Sequence, residues 1–234
     1  MYCVRIIRVI VSFFKKSLYR LYERQIALRL RCYREKKFLN HLRAQLTNNN
    51  FTIIANNCFA GIIYHQLGLP FLSPTINLAI PIDKEYLEFV KKIKLYANVP
   101  LYDVSQEFSS CNYPVGVLAS PDMMPIHLHF IHYKSFDEAK SKWYSRFNRI
   151  NYNNMFFIWE HYGKTPSAEL QEFDILPINK IVLSHTELKK ISHQCVLHCY
   201  HNDRPFGQAF LYDGITGKRF MNEWDYVKFL NKEV

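Results

Sequence analysis

The stretch from residue 51 to residue 68 constrains the fold of this chain more than any other. An apolar run, Phe51–Ala55, stops abruptly at three small or polar residues: Asn56, Asn57 and Cys58. A segment with helical periodicity, Phe59–Leu67, follows and is closed by Gly68. This order predicts a buried strand, a polar turn and a helix with a glycine stop. In an open α/β sheet such a turn lies where ligands bind, beside helix N–H groups that favour anions.

Strand and helix signals alternate along the rest of the chain. Strands are predicted at residues 76–81, 100–104, 115–118, 126–133, 155–159 and 180–184. Helices are predicted at residues 83–96, 135–149, 167–173 and 222–230. This alternation is typical of a mainly parallel sheet with helices on both faces, a Rossmann-like α/β variant. We expect this α/β domain to occupy residues 50–234, preceded by a basic helical arm at residues 1–49.

The positive charge of the chain is concentrated in that arm. The net charge is +10, but the first 50 residues hold 12 Lys or Arg and only two acidic residues. The remainder is formally neutral, so a nucleic-acid partner inferred from the overall charge loses most of its support, and nucleic-acid binding through the arm stays a third option after a membrane surface and self-packing. Basic residues confined to one helical segment suit an anionic surface.

The start of the arm has the pattern of an amphipathic helix. Its apolar run is too short to span a bilayer, which needs about 20 apolar residues. One helical face holds Ile7, Ile10, Val11 and Phe14, continued by Leu18, Leu21 and Tyr22, and the polar side holds Lys15, Lys16, Arg20 and Arg24. Residues 1–45 are therefore predicted to bind an anionic membrane surface. The alternative is packing on the protein itself, or on a second copy in a homo-oligomer.

The cysteine spacing and the N-terminal sequence indicate the cellular compartment of the protein. The six cysteines show no disulfide framework, and no signal-peptide cleavage pattern is evident. We therefore expect a cytoplasmic protein, peripheral to the inner membrane.

The early turn supplies the first candidate site residues. Cys58 precedes a predicted helix whose N-terminus could acidify its thiol, which makes it a candidate nucleophile. The alternative is a small side chain packed under the turn. Asn56 and Asn57 could bind sugar hydroxyls or a phosphate. Alternatively, one caps the helix and the other takes a left-handed turn position.

Residues 126–133 supply a histidine. His132 lies near the carboxyl end of a predicted strand and is a catalytic candidate, whereas His127 and His129 are expected to be structural. Two histidines two positions apart could bind a metal, but no third ligand is nearby, so neither a metal nor another cofactor is predicted. The motifs of dinucleotide, P-loop and Asp-x-Asp sugar-nucleotide sites are missing from the sequence.

The helix that follows is an anion candidate. Lys142, Arg146 and Arg149 share one helical face, and arginine suits phosphate geometry. They could clamp the diphosphate of an activated sugar or lipid carrier. A solvated basic face is the alternative.

These segments together resemble a bacterial family of exopolysaccharide (capsule) biosynthesis proteins whose molecular function is unknown. The resemblance extends over roughly residues 50–185. Its first motif comprises Asn56, Asn57, Cys58, Gly61, Tyr64, Leu67, Gly68, Leu69, Ser73, Pro74 and Thr75. It continues through residues 113–116 and 126–133, and through Glu138, Ala139, Lys142, Trp143, Arg146, Arg149, Ile150 and Asn151. The resemblance implies a role in surface polysaccharide synthesis and adds Tyr64, Ser73, Thr75 and Asn151 to the candidate substrate contacts.

Together these patterns predict a transferase acting on an activated sugar or lipid-linked glycan. Glycosyl transfer is favoured over acyl transfer through Cys58. The alternative is a non-enzymatic module that binds a glycan or nucleotide sugar and organises an assembly complex. Both hypotheses require the early turn, His132 and the arginines to meet in one pocket.

Overall fold

The computed structural model of the chain describes residues 15, 16, 19, 22–198 and 207–233. Within these ranges the strands are β1 Thr52–Ala55, β2 Leu101–Asp103, β3 Val115–Ser120, β4 Met123–His129, β5 Met155–His161, β6 Asn179–Ser184 and β7 Gln194–Val196. The α-helices are α1 Leu28–Gln45, α2 Phe59–Leu67, α3 Asp83–Tyr96, α4 Phe136–Phe147, α5 Ala168–Ile175 and α6 Tyr226–Asn231. A π-helical turn, Tyr22–Ala27, precedes α1, and short 3-10 helices span Ser105–Phe108, Gln208–Phe210 and Phe220–Glu223.

The strands form two sheets. The four strands of the larger sheet are all parallel, in the order β1-β5-β6-β7. Ala55 pairs with Ile158 and His161 pairs with Ser184, so the carboxyl ends of β1, β5 and β6 lie at the same edge. The smaller sheet is antiparallel, in the order β2-β3-β4. The predicted α/β fold with a parallel sheet is therefore confirmed, with an antiparallel sheet beside it.

Alternate residues of the parallel strands feed two hydrophobic cores. Ile54, Phe157 and Trp159 pack with α3, α4, α5 and the antiparallel sheet. Ile53 and Phe156 point to the opposite face and pack with α1, α2 and α6. Because successive strand side chains point to opposite faces, a sheet covered on both faces needs apolar residues at consecutive positions. That requirement explains the unbroken apolar run of β1.

Local signals set several helix ends. Gly68 ends α2 in the left-handed conformation, with φ 70°, as the glycine stop predicts. Ser135 caps α4 by accepting a hydrogen bond from the Glu138 N–H, which confirms the predicted capping box. Ser167 caps α5 in the same way through the Leu170 N–H.

Two predicted strands were wrong in extent. Residues 76–81 form no ladder with any strand of the described ranges, where they make one isolated bridge, between Ala79 and His129. Asn77 there has a φ of 62°, a turn conformation that interrupts an extended run. Strand β4 ends at His129, so His132 lies in the following turn rather than in the strand.

Helix α1 packs on the α/β body. Leu42 is buried in the second core, and Phe38 and Leu39 pack against it. The Arg43 side chain donates a hydrogen bond to the Gln66 carbonyl over 2.9 Å, and the Tyr212 hydroxyl donates one to Glu35 over 2.6 Å. The predicted apolar face at residues 7–14 lies outside the described residues. Within the described ranges, no helix is long and apolar enough to cross a membrane.

Candidate functional site

A crevice of about 470 Å³ lies at the carboxyl edge of the parallel sheet. The ends of β1 and β5 form its floor, and elements from both faces of the sheet form its walls. Its lining comprises Asn56, Asn57, Cys58, Ala79, Pro81, Asp83, Ile131, His132, Glu160, His161, Tyr162, Gly207 and Phe210. This is the position at which open α/β sheets bind ligands. The structure therefore brings the early turn and His132 to one cavity.

Asn56 ties the ends of β1 and β5 together. Its side-chain amide donates to the Glu160 carbonyl over 3.0 Å, and its side-chain oxygen accepts from the Glu160 N–H over 2.9 Å. The side chain thus makes the two hydrogen bonds to the Glu160 backbone that a further residue of β1 would make if the ladder continued. Both polar atoms of the amide are occupied by the backbone, so Asn56 fixes the floor of the crevice.

Asn57 connects the turn to a buried carboxylate. Its side-chain oxygen accepts from the Phe59 N–H over 3.1 Å, which satisfies one free donor at the start of α2. Its amide nitrogen donates to the Glu160 carboxylate, and the Tyr162 hydroxyl donates to the same oxygen. Glu160 is 2% exposed. Among the described residues, Asn57 and Tyr162 both donate to this carboxylate at the floor of the crevice. Of the two alternatives for the asparagines, Asn57 matches the one in which the side chain caps the helix.

The environment of Cys58 raises the pKa of its thiol. Burial is the larger cause and the negative charge of Glu160 the second, and together they bring the pKa to about 11. The expectation that the N-terminus of α2 acidifies this thiol is therefore wrong. The pKa of the Tyr162 phenol is also raised, first by burial and then by the charge of Glu160 and its hydrogen bond. Both groups are protonated at neutral pH.

The opposite wall carries an exposed histidine and an aspartate. The backbone N–H of His132 donates to the Asn77 carbonyl over 3.4 Å, which holds the turn in place while the imidazole is exposed. Asp83, in the first turn of α3, accepts a hydrogen bond from the Ser167 hydroxyl over 2.8 Å. The crevice thus presents a fixed carboxylate at its floor and an imidazole on its wall.

The basic residues of α4 do not line this crevice, which corrects the expected convergence with the early turn. The Arg146 side chain is buried, donates to the Tyr133 hydroxyl and the Ile76 carbonyl, and lies over the ring of Phe71. It therefore joins α4 to the segment at residues 71–76. Lys142 lies on the exposed side of α4. Arg149 is exposed in the turn after α4, which ends at Phe147, and it donates to the Ser145 hydroxyl over 2.9 Å.

Three of the motif residues form hydrogen bonds with, or support those to, the backbone groups on the outer edge of β1. The Tyr64 hydroxyl accepts from the Ile53 N–H over 3.2 Å and donates to the Phe51 carbonyl over 2.8 Å. The Thr75 hydroxyl accepts from the Ala55 N–H over 3.1 Å, and Ser73 bonds to Thr75. Because β1 is an edge strand of the parallel sheet, its outward N–H groups need such partners. These buried side chains lie behind the crevice rather than in it.

Asn151 lies at the other end of the same strand. Its amide nitrogen donates to the Asn50 carbonyl over 2.9 Å, and its backbone N–H donates to the Thr52 hydroxyl over 2.9 Å. Asn50 and Thr52 stand at the amino end of β1, whereas the crevice opens at the carboxyl end. Asn151 is thus one strand length away from the crevice.

The other histidines of β4 form a separate cluster. His127 donates its backbone N–H to Glu85 over 2.7 Å, and its ring nitrogen lies 2.8 Å from the same carboxylate. The pKa of His129 is lowered, first by burial and then by the nearby His127. In the part of the chain that the structure describes, no group of three His, Cys, Asp or Glu side chains could hold a metal ion.

A sequence model of a family described as a domain of unknown function (DUF1919) matches residues 30–231. The chain belongs to the DUF1919 family. An uncharacterized protein of Haemophilus influenzae is 32% identical over 200 residues, which cover 85% of this chain and 93% of that protein. The DUF1919 match includes every residue that lines the crevice and most of α1.

Sequence reasoning missed Glu160, the buried acid at the centre of this DUF1919 crevice. The signal was present, because β5 is an apolar strand that runs directly into Glu160, His161 and Tyr162. Side chains at the carboxyl end of a buried parallel strand share the edge at which the early turn lies. However, the strand that lies beside β1 is determined by the tertiary structure. Its partner β5 is about a hundred positions away in the sequence, so local patterns do not reveal the pairing.

Proposed function

We propose that this DUF1919 protein is a transferase of exopolysaccharide biosynthesis that moves a glycosyl group from an activated sugar to a hydroxyl of a glycan acceptor. The proposal is carried by Glu160 and His132, which line one crevice at the sheet edge. It assigns no role to Arg146 or Arg149, which do not line this crevice. Carboxylate and amide groups suit sugar hydroxyls, and an imidazole suits their deprotonation. The assignment to polysaccharide synthesis rests on the resemblance of the early turn, residues 126–133 and α4 to the exopolysaccharide family.

Each crevice residue has a part in the proposed reaction. The acceptor oxygen attacks the anomeric carbon of the donor sugar, and His132 takes the proton of that hydroxyl. The bond between the anomeric carbon and the phosphate oxygen breaks, and the phosphate leaves with the electron pair. Glu160 accepts hydrogen bonds from the sugar, and its negative charge stabilises the positive charge that develops on the sugar ring in the transition state. Asn57 and Tyr162 hold that carboxylate in place.

The state of Cys58 favours glycosyl transfer over acyl transfer. An acyl-enzyme mechanism needs a thiolate, which is the nucleophilic form of cysteine. With a pKa of about 11, the Cys58 thiol is protonated at neutral pH. The negative charge of Glu160 opposes ionisation of this thiol. The same carboxylate that would bind the donor sugar therefore disfavours a thiolate nucleophile at Cys58.

Donor consumption by the full-length protein tests the proposal. The protein is incubated with a panel of nucleotide sugars and a polysaccharide fragment, and the release of nucleotide is measured. With the donor that is consumed, His132→Asn should lower kcat by about 100- to 10,000-fold, the range for loss of a general base. His41→Asn, an exposed histidine on α1, is the matched control and should leave kcat unchanged.

Two results would contradict this reaction. If Cys58→Ser abolishes turnover while His132→Asn retains it, the protein acts through the thiol and transfers an acyl group. If sugar nucleotides bind without consumption, and Glu160→Gln weakens that binding, the crevice belongs to a binding module instead. Calorimetric titration beside the turnover assay separates these outcomes.

A further inference from the structure

Helix α1 has an inner face that is bound to the α/β body. Phe38, Leu39 and Leu42 pack into the second core. Glu35 accepts a hydrogen bond from Tyr212 on the same side. The residues between 31 and 42 that contact the body follow helical spacing, so the other side of the helix faces away from the protein.

That outer face carries large apolar side chains. Ile26, in the π-helical turn, is 59% exposed, and Tyr33, on α1, is 69% exposed. They lie seven positions apart, or about two helical turns, and therefore share one stripe. Exposed apolar side chains in such a stripe are stabilised only when an apolar partner surface removes them from water.

Positive charge lies along the same face. Arg29, Lys36 and Lys37 are all exposed beside the stripe. The only acidic residue between positions 24 and 45 is Glu35, which faces inward to Tyr212. The outer face of this stretch therefore combines tyrosine, aliphatic and basic side chains with no opposing carboxylate of its own.

We propose that the outer face of α1 docks on the surface of an anionic lipid bilayer. An interfacial helix buries its apolar side chains at the boundary of headgroups and acyl chains, and its basic residues attract anionic lipid. Tyrosine is enriched at that boundary because its ring is apolar and its hydroxyl is polar. Ile26, Tyr33 and the three cations of α1 match each of these requirements. This surface is separate from the crevice and does not depend on the proposed reaction.

The same features disfavour the two other occupants. In a symmetric dimer built on this face, Arg29, Lys36 and Lys37 would meet their own copies, and like charges oppose association. The phosphates of a nucleic acid could bind the cations, but they would leave the aliphatic side chain of Ile26 exposed to water. Only a lipid surface accounts for the aliphatic and the basic side chains together.

Co-sedimentation of the full-length protein with vesicles tests the proposal. Vesicles of phosphatidylcholine alone are compared with vesicles that also contain phosphatidylglycerol. The first variant combines Arg29→Glu, Lys36→Glu and Lys37→Glu, and the second combines Ile26→Ser and Tyr33→Ser. The matched control reverses three exposed lysines elsewhere: Lys134→Glu, Lys142→Glu and Lys189→Glu. Circular dichroism checks that each variant is folded.

The expected result is selective binding to the anionic vesicles. The charge variant should lose at least about 100-fold in partition coefficient, because each basic residue near anionic lipid contributes roughly fivefold. The serine variant should lose about tenfold, because two apolar side chains no longer enter the interface. The control should bind within about twofold of the wild type, since its lysines lie off the docking face.

Several outcomes would overturn the proposal. One is equal partition of the wild type and the charge variant. Another is a dimer in sedimentation velocity that the serine variant dissociates, with no vesicle binding; this would assign the face to a second copy. Duplex binding in a gel-shift assay that the charge variant loses, again without vesicle binding, would assign it to a nucleic acid.

Discussion

Asn57 and Glu160 lie 103 positions apart, and the side-chain amide of Asn57 donates a hydrogen bond to the Glu160 carboxylate at the carboxyl edge of the parallel sheet. The oxygen of the same amide accepts from the first N–H of α2. One side chain thus joins the start of a helix to the end of a strand. Because Glu160 is buried, its position in the crevice depends on this contact and on the hydrogen bond from Tyr162.

The first prediction concerns that contact. Asn57→Asp keeps the oxygen that caps α2 but replaces the amide donor with a second carboxylate beside Glu160. We expect a loss of about 1–3 kcal/mol in the free energy of unfolding at neutral pH, because a buried acceptor loses its donor. Like-charge repulsion raises the folded-state pKa of the new carboxyl pair, so this loss is present above the unfolded pKa values and shrinks as protons neutralise the pair.

Urea denaturation between neutral pH and about pH 4.5 measures this dependence. Asn57→Ala is the control, because it loses the cap and the donor without adding a charge. A deficit of Asn57→Asp that stays constant or grows as the pH falls would contradict the proposed contact.

The second prediction is that Cys58 reacts slowly with alkylating reagents. Its pKa is raised from 9.0 to about 11. At neutral pH it should therefore carry about 100-fold less thiolate than an unperturbed cysteine, and alkylation should be slower by a similar factor. The rate should continue to rise until the pH approaches the raised pKa. Peptide mapping after iodoacetamide treatment measures the rate, with exposed Cys32 as the internal reference.

Glu160→Gln removes the charge that opposes ionisation of Cys58. It should speed alkylation of this residue, whereas the rate at Cys32 should stay the same. A Cys58 that reacts as fast as Cys32 in the wild type would show that the thiol is activated, and would return acyl transfer to consideration.

The third prediction separates a structural role of Tyr64 from a substrate contact. Tyr64→Phe removes the hydroxyl that accepts from the buried Ile53 N–H. We expect the unfolding free energy to fall by about 1–3 kcal/mol, because that N–H is left without an acceptor at the strand edge. Tyr102→Phe, at an exposed tyrosine, is the matched control and should leave stability unchanged. Binding of a sugar nucleotide by the folded fraction should be the same in both variants, and weaker binding in Tyr64→Phe alone would contradict the assignment.

The fourth prediction contrasts Arg146, inside α4, with Arg149, in the turn that follows the helix. Arg146→Ala should cost about 2–3 kcal/mol, because the buried Tyr133 hydroxyl and Ile76 carbonyl lose a charged donor. Arg149→Ala should leave the melting temperature unchanged, since Arg149 is exposed in the turn after the helix. Thermal denaturation followed by circular dichroism measures both. A stable Arg146→Ala variant with lost affinity for a sugar nucleotide would restore the phosphate-clamp hypothesis.

The parts of the fold that could be predicted from the sequence depend on neighbouring residues. The apolar run of β1, the glycine at the end of α2 and the Ser135 cap of α4 each act within a few positions, and the structure confirms all three. The segment at residues 76–81 was wrongly predicted as a strand because its apolar pattern resembles one. In the part of the chain that the structure describes, its β-bridge is at Ala79, and the left-handed conformation of Asn77 interrupts the extended run.

The sequence by itself determined that a polar turn follows a buried strand, since hydrophobic periodicity and turn residues are local properties of a chain. Only the tertiary structure determined which residues contact that turn. It placed the end of β5 beside the end of β1, which brought Glu160 to Asn57, and it directed Arg146 into the protein interior. The physical reason is that strand order and helix orientation follow from packing both faces of one sheet. That packing depends on side chains far apart in the sequence.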